Sequence, residues 1–240
     1  MQSMTINKQN EPEFMDLVKL SEQDRLGFIR KVYGILSVQL SITAVAVSAV
    51  KLSPQLDDTF RSPVMNGIAM GMLVMAMVLQ CALICSRDMA RKTPINYILL
   101  FAFTGCFTFA VCAITAFYPA SDVMLAAVMT AGVTVALTLY ACTTKTDFTM
   151  CGGLFFILSM VLLIIVIFSW FMTFSGWWHP IVAGVLCVIY GLYLIYDTQL
   201  IVGKGQHKLS SDDYIIGALL IYVDIIMLFI ELLRLFGDRR

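Results

Sequence analysis

Long apolar runs divide the chain, and short polar segments separate them. Each run approaches or exceeds the roughly 20 residues that an α-helix needs to cross the hydrocarbon core of a bilayer. The pattern therefore predicts an all-α membrane protein, a bundle of seven transmembrane helices. The predicted spans are Val32–Val50, Gly67–Cys85, Tyr97–Phe117, Val123–Cys142, Gly152–Phe174, Ile181–Val202 and Tyr214–Phe236.

The segment before the first span is polar and contains Pro12 and several acidic residues. It lacks the apolar core of a signal peptide. We expect residues 1–27 to form a short cytosolic tail that becomes helical only near Leu20–Arg30. Residues 28–240 are then the seven-helix transmembrane domain.

The composition agrees with a membrane protein, because 60% of the residues are hydrophobic and only 13% are charged. A soluble domain of 240 residues needs more charge to cover its surface. The formal net charge is zero, which gives no basic surface and argues against nucleic acid as a partner. The seven cysteines show neither CxxC nor a zinc-ligand spacing, and we interpret them as small buried hydrophobes.

Basic residues predict the orientation, because the loops are short. With the N-terminus in the cytosol, eleven of the 16 basic residues, Arg91 among them as an interfacial anchor, lie on the cytosolic side, and only Lys51 and Arg61 lie opposite. Seven complete spans put the C-terminal Arg239 and Arg240 on the non-cytosolic side, against this trend. We predict a fully spanning seventh helix, and a re-entrant segment stays the alternative.

Charge within the spans is confined to the last two. The first five contain no Asp, Glu, Lys or Arg, whereas the sixth contains Asp197 and the seventh contains Asp224, Glu231 and Arg234. A carboxylate in a membrane is costly unless a partner or a water-filled path compensates it, so such residues usually mark ion or proton sites. Asp197 and Asp224 are therefore the principal candidate site.

The two aspartates are predicted to meet in the cytosolic half of the membrane. Asp197 lies about 8 Å from the end of the sixth span, and Asp224 lies about 15 Å into the seventh. The short connection over residues 203–213 makes these helices antiparallel neighbours, so tilt must absorb a depth mismatch of about 7 Å.

Two carboxylates at close range in low dielectric cannot both ionise cheaply, so such a pair shares a proton. When both are ionised, they repel one another or bind a hard cation such as Ca²⁺. The pair is thus a candidate metal site and proton sensor. The alternative is a structural contact, in which each aspartate bonds to hydroxyls or amides such as Tyr196, Thr198 or Gln199.

Two further residues are candidate gating partners. Arg87 closes the second span at a depth from which it could reach Asp197 bidentately, or it could serve as an interfacial anchor. Glu231 lies seven residues after Asp224 and therefore on the same stripe of the last helix. It could act in an ion path, or it could simply neutralise Arg234, three residues further on.

No motif for an enzyme is present. The chain has no Walker loop, HExxH or GxSxG, and neither Asp197 nor Asp224 follows a glycine, as in the GxGD motif of intramembrane aspartyl proteases. We therefore expect no catalysis and no cofactor, with Ca²⁺ as a permeant or regulatory ion.

Several collinear blocks from Arg25 to the C-terminus resemble the transmembrane Bax inhibitor motif family, and its Lifeguard branch in particular. The most specific are LIYDTQLIVG (Leu194–Gly203) and DDYIIGALLIYVDIIMLFIELLRLFG (Asp212–Gly237). Three more blocks are RLGFIRKVYGILSVQLSIT (Arg25–Thr43), RKTPINYILLFAFT (Arg91–Thr104) and LTLYACTTKTDFTMCGGLFF (Leu137–Phe156). The chain departs from the family pattern at Glu231, where the family is usually uncharged.

The resemblance implies a seven-helix bundle whose last helix lies at the centre of the other six. It also implies a pH-sensitive Ca²⁺ leak and suppression of apoptosis, in endomembranes (ER or Golgi) or the plasma membrane. The paired-aspartate sensor of the family corresponds to Asp197 and Asp224, and its arginine partner corresponds to Arg87.

Our main hypothesis is a Ca²⁺-permeable leak channel gated by the aspartate pair. Its partners are Ca²⁺, protons and the lipid bilayer. The rival hypothesis is an interaction protein, which suppresses cell death by binding other membrane proteins of the cell-death machinery while any ion flux is incidental.

Overall fold

The computed structural model describes residues 11–171, 178–203 and 205–239, but not the side chains of residues 11–22, 87, 163, 166–171, 178 and 179. The described ranges contain helices and no strand, so the predicted all-α fold is confirmed. The helices are α1 Glu11–Leu52, α2 Pro54–Arg61, α3 Pro63–Cys85, α4 Arg87–Arg91, α5 Ile95–Ala116, α6 Ala120–Thr143, α7 Gly152–Phe171, α8 Trp178–Val202 and α9 Tyr214–Phe236.

The described ranges contain six helical segments that are long and apolar enough to cross a bilayer. They are Gln23–Leu52, Pro63–Cys85, Ile95–Ala116, Ala120–Thr143, Pro180–Val202 and Tyr214–Phe236. These segments establish a multi-pass integral membrane protein. The fifth predicted span corresponds to α7, and its predicted end at Phe174 lies outside the described residues, so the count of seven stays a prediction.

The polar segments contain more helix than the sequence predicted. The described part of α1 is already helical at Glu11, ahead of the predicted start near Leu20. The loop after α1 contains the short helix α2, and α4 follows α3 after the single residue Ser86. The Ser62 hydroxyl caps α3 by accepting a hydrogen bond from the N–H of Met65 at 3.3 Å.

Helix α9 is the central element of the bundle. Fifteen of its 23 residues are buried, and it packs against α1, α3, α4, α5, α6 and α8. Gly217 allows this approach, because a Cβ there would lie 3.2 Å from Val32 of α1. By contrast, α3 and α6 expose large apolar side chains such as Val64, Val78 and Val128. The predicted central C-terminal helix, shielded from lipid by its neighbours, is confirmed.

Buried hydroxyl groups join three of these helices. The Thr43 hydroxyl of α1 lies 2.8 Å from that of Thr108 in α5 and 2.7 Å from that of Tyr222 in α9. One turn away, Gln39 donates to the Thr104 hydroxyl at 2.8 Å. In an apolar environment such hydrogen bonds replace the hydrophobic effect as a source of helix–helix specificity. They fix α9 against α1 and α5.

Helix α9 begins at one end of the bundle, which we call the Arg25 end after the residue that contacts its loop. There the Lys31 ammonium group lies 5.5 Å from the ring centroid of Tyr214, and Arg25 donates to the carbonyl of Leu209 at 2.7 Å. The N-cap residue of α9, Asp213, binds the Arg91 guanidinium of α4 through both oxygens, at 2.8 and 3.0 Å.

Helix α9 ends at the opposite end of the bundle, which we call the Tyr118 end. There Lys51 at the end of α1 donates to the Tyr118 carbonyl at 2.8 Å, and the backbone N–H of Asp238 donates to Asp122 at 2.8 Å. Since α1 runs from the Arg25 end to the Tyr118 end, α9 traverses the bundle in the same direction. The structure therefore favours the full span over a re-entrant segment.

Thiol labelling tests this topology. In a variant whose seven native cysteines are replaced, we expect Asp238→Cys to react with an impermeant reagent only from the side opposite the N-terminus. The matched control Asp212→Cys, also an exposed aspartate beside α9, reacts only from the N-terminal side. Labelling of both cysteines from one side would instead establish a re-entrant segment.

Candidate functional site

The structure brings Asp197 and Asp224 together. Asp197 lies on α8 and Asp224 on α9; each is almost fully buried, with 5% and 6% of its surface exposed. Their carboxyl groups lie close enough for a hydrogen bond between them. The contact joins the central helix to its neighbour inside the apolar bundle.

The depth mismatch is smaller than the sequence predicted. Gly217 of α9 lies level with Ile201 of α8, because a Cβ on Gly217 would be 3.4 Å from the Ile201 side chain. From that level Asp224 is about 10 Å further along α9 and Asp197 about 6 Å along α8. Two aspartate side chains span the remaining 4 Å or so. The connecting loop folds back along α8, where the N–H of Leu209 donates to the carbonyl of Leu200 at 3.2 Å.

The close approach of the two carboxyl groups favours a shared proton. An ionised carboxylate only accepts hydrogen bonds, so a hydrogen bond between the two groups requires at least one of them to be protonated. The second oxygen of Asp224, Oδ2, is buried and has no hydrogen-bond partner among the described residues. The described part of the chain also contains no arginine or lysine that forms an ion pair with either aspartate.

Among the described titratable side chains near the pair are three tyrosines of α8. Tyr193 interacts electrostatically with both aspartates, Tyr190 with Asp224 and Tyr196 with Asp197. The Tyr193 hydroxyl donates to the Phe155 carbonyl of α7 at 2.6 Å. These groups surround the pair with neutral polar atoms, which suits a shared proton better than a full charge.

Gln199, which sequence reasoning treated as a partner for the aspartates, has a different role. Its Nε2 donates to the carbonyl of Thr146 at 3.0 Å, and its Oε1 accepts from the N–H of Phe148 at 2.9 Å. Gln199 therefore holds the loop between α6 and α7 against α8, at a position about 3 Å along the helix from Asp197.

Of the two candidate gating partners, Arg87 and Glu231, the structure describes the side chain of Glu231 only. The backbone of Arg87 begins α4, but its side chain lies outside the described residues, so its contact with the aspartates stays a prediction. Glu231 is 1% exposed and pairs with Arg234 at 3.0 Å, as the neutralising alternative predicted. Its Oε2 is buried without a hydrogen-bond partner among the described residues. Glu231 lies about 10 Å beyond Asp224 along α9.

Sequence reasoning missed the contact that closes the α8–α9 hairpin. The Arg25 guanidinium donates to the carbonyls of Leu200 at 2.5 Å and Leu209 at 2.7 Å. A cation at the end of α8 satisfies carbonyl groups that the helix leaves unpaired and opposes the helix dipole. In the sequence analysis Arg25 entered only the count of basic residues. The available sequence signal was Gly203, because a glycine often follows the end of a helix. In the structure Gly203 lies directly after α8 and has the left-handed conformation (φ +73°).

A second missed contact ties the loop before α7 to the α8–α9 loop. The Asp147 carboxylate accepts hydrogen bonds from the N–H and the hydroxyl of Thr149, at 3.0 and 2.6 Å, and from the N–H of Gln206 at 2.9 Å. These hydrogen bonds, that of the Thr149 hydroxyl most of all, hold the pKa of Asp147 below its usual range. Arg91 was predicted to be an interfacial anchor. In the structure it also forms an ion pair with Asp213, the N-cap residue of α9.

The fold and site define a class: multi-pass helical membrane proteins whose central C-terminal helix shares a buried carboxyl pair with its neighbour. A family model described as "Inhibitor of apoptosis-promoting Bax1" matches residues 25–240, so the chain belongs to this Bax inhibitor family. The predicted family resemblance is confirmed.

Named relatives agree with the Lifeguard branch. The chain is 38% identical over 221 residues to Protein lifeguard 3 of Homo sapiens, covering 88% of this chain and 68% of that protein. It is 37% identical over 228 residues to Protein lifeguard 3 of Mus musculus, covering 90% and 70%. It is 36% identical over 215 residues to Protein lifeguard 4 of Mus musculus, covering 88% and 84%.

Proposed function

We propose that this protein is a pH-sensitive, Ca²⁺-permeable leak channel of endomembranes or the plasma membrane. It modulates Ca²⁺ stores and thereby suppresses apoptosis, and it acts in transport rather than as an enzyme. Membership of the Bax inhibitor family supports the coarser function, a membrane protein that inhibits apoptosis. The observation that carries the finer function is the close, buried pair of Asp197 and Asp224 inside the bundle.

The pair has the properties of a proton-operated latch between α8 and α9. Loss of the shared proton removes the hydrogen bond and leaves two like charges in contact in a low-dielectric environment, where their repulsion is strong. Separation of the carboxyl groups relieves it. Since α9 packs against six other helices, a shift of α9 at this point alters the packing of the whole bundle.

The same oxygens suit Ca²⁺ as the transported ion. Ca²⁺ prefers six to eight oxygen ligands, of which two carboxylates supply at most four. The residues with described side chains contain no cluster of three or more His, Cys, Asp or Glu, so water or backbone carbonyls must complete the coordination. An incomplete site binds weakly, which fits an ion in transit rather than one held in place. Protons and Ca²⁺ then compete for Asp197 and Asp224.

Reconstitution of the purified full-length protein tests the proposal. In liposomes loaded with a Ca²⁺-sensitive dye, we expect Ca²⁺ entry above that of protein-free liposomes, with a rate that changes with pH. No other protein is present, so such a flux cannot come from a partner. If correctly inserted protein gives no flux above the protein-free rate at any pH, the leak-channel proposal is wrong and the interaction protein becomes the better hypothesis.

A further inference from the structure

A cavity of about 220 Å³ opens at the Tyr118 end of the bundle, away from the aspartate pair. It lies between α3, α5 and the C-terminal end of α9. Most of its wall is apolar, and two arginines, Arg234 and Arg239, complete the lining. The apolar wall residues include Ala69, Met70, Leu73, Ala110, Ala113 and Ile114.

The cavity extends into the membrane-spanning part of the bundle. Along α3 its lining runs from Asn66 to Leu73, and along α5 from Phe117 to Ala110. Each stretch is about 10 Å long, measured from the Tyr118 end inward. An apolar cavity of this kind offers water few partners, so hydrocarbon fits it better than water does.

One arginine at the cavity mouth has no ion-pair partner among the described residues. At the same end of the bundle, Lys51 and Arg61 both pair with Asp57, and Arg234 pairs with Glu231. Among the described residues Arg239 forms no ion pair, and its guanidinium group lies 5.2 Å from the ring centroid of Phe117. The Arg239 guanidinium therefore lies beside an apolar cavity and is available to bind an anion.

We propose that this cavity binds a single-chain anionic lipid, a long-chain fatty acid, with its hydrocarbon chain between α3 and α5 and its carboxylate on Arg239. The guanidinium fork of arginine matches a carboxylate bidentately. The volume of about 220 Å³ is below the roughly 300–1,000 Å³ typical of pockets for drug-sized ligands. The cavity therefore admits the carboxylate end of one chain and not two chains, and the rest of that chain extends into the surrounding lipid.

Native mass spectrometry of the full-length protein in a non-ionic detergent tests the site. The two probes are oleate and oleyl alcohol, which share a chain and differ in head-group charge. We expect one oleate bound per chain and about tenfold weaker binding of the alcohol, the difference that a charge-assisted hydrogen bond makes. Arg239→Gln lowers oleate binding to the level of the alcohol. The matched control Arg30→Gln, an exposed arginine of α1, leaves oleate binding unchanged.

A second variant tests the cavity rather than the charge. Met70 is 41% exposed, so Met70→Trp narrows the cavity without filling the core. We expect it to weaken binding of both probes while the melting temperature stays unchanged. The proposal is wrong if oleate and oleyl alcohol bind equally, or if Arg239→Gln or Met70→Trp leaves oleate binding unchanged. It is also wrong if Arg30→Gln weakens oleate binding as much as Arg239→Gln does. It is also wrong if phosphatidylglycerol, a two-chain lipid, binds in place of oleate.

Discussion

Replacing Asp197 and Asp224 together with asparagine is expected to change the Ca²⁺ flux of the reconstituted protein and to abolish its pH dependence. Asparagine is nearly isosteric with aspartic acid, and its amide both donates and accepts hydrogen bonds. An amide pair can therefore keep α8 and α9 in contact without a proton. It cannot ionise, so neither repulsion nor Ca²⁺ coordination by carboxylates remains. The protein should still fold, because no buried charge loses a partner.

The measurement is the liposome Ca²⁺ flux over a range of pH, for the wild type and the double variant. A matched control removes two carboxylates outside the pair, Asp58→Asn with Asp212→Asn, both of them exposed. We expect this control to retain the pH response. A wild-type flux and pH response in the Asp197→Asn, Asp224→Asn variant would return the pair to the structural alternative, a polar contact between two helices.

Gly203→Ala is expected to destabilise the protein strongly, although it adds only one methyl group. Gly203 has φ +73°, and a left-handed backbone costs a residue with a Cβ roughly 1–2 kcal/mol. The new Cβ would also lie 2.7 Å from Nε of Arg25. Displacing the guanidinium weakens charge-assisted hydrogen bonds to Leu200 and Leu209 that are worth about 1.5–3 kcal/mol each. We expect the free energy of unfolding to fall by at least about 2 kcal/mol.

The comparison is with Gly184→Ala, the same change within α8. A Cβ at Gly184 meets no atom within 4 Å, and alanine stabilises a helix by about 0.5–1 kcal/mol relative to glycine. Thermal unfolding of the purified protein in detergent should therefore show a lower melting temperature for Gly203→Ala and an equal or higher one for Gly184→Ala. Equal melting temperatures for the two variants would contradict the importance of the Arg25 contact.

Hydrophobic pattern was sufficient to predict the membrane-spanning segments, because the bilayer constrains their length and composition directly. Helices α3, α5, α6, α8 and α9 begin and end within a few residues of the predicted spans. The pairing of Asp197 with Asp224 could also be predicted. A short loop makes consecutive helices neighbours, and a carboxylate inside a membrane is costly unless a partner compensates it. The pairing of Glu231 with Arg234 was also accessible, because residues three apart on a helix face one another.

The polar segments were predicted less well. Helix α1 extends back to Glu11, and α2 and α4 were not anticipated. No apolar pattern marks these segments as helical, because they are short or polar. Capping and proline positions, such as Pro54 at the start of α2, were the available signals, and they are weaker than a hydrophobic run.

Sequence alone determined which segments of this protein enter the membrane and which carboxyl groups must be compensated there. Only the tertiary structure decided how the α8–α9 hairpin that carries the pair is held, because its contacts join residues far apart in the chain. Arg25 binds carbonyls 175 and 184 residues away, and Arg91 binds Asp213 across 122 residues. A guanidinium group can bind any free carbonyl or carboxylate, so its partner depends on which helices pack together, and no local pattern records that choice.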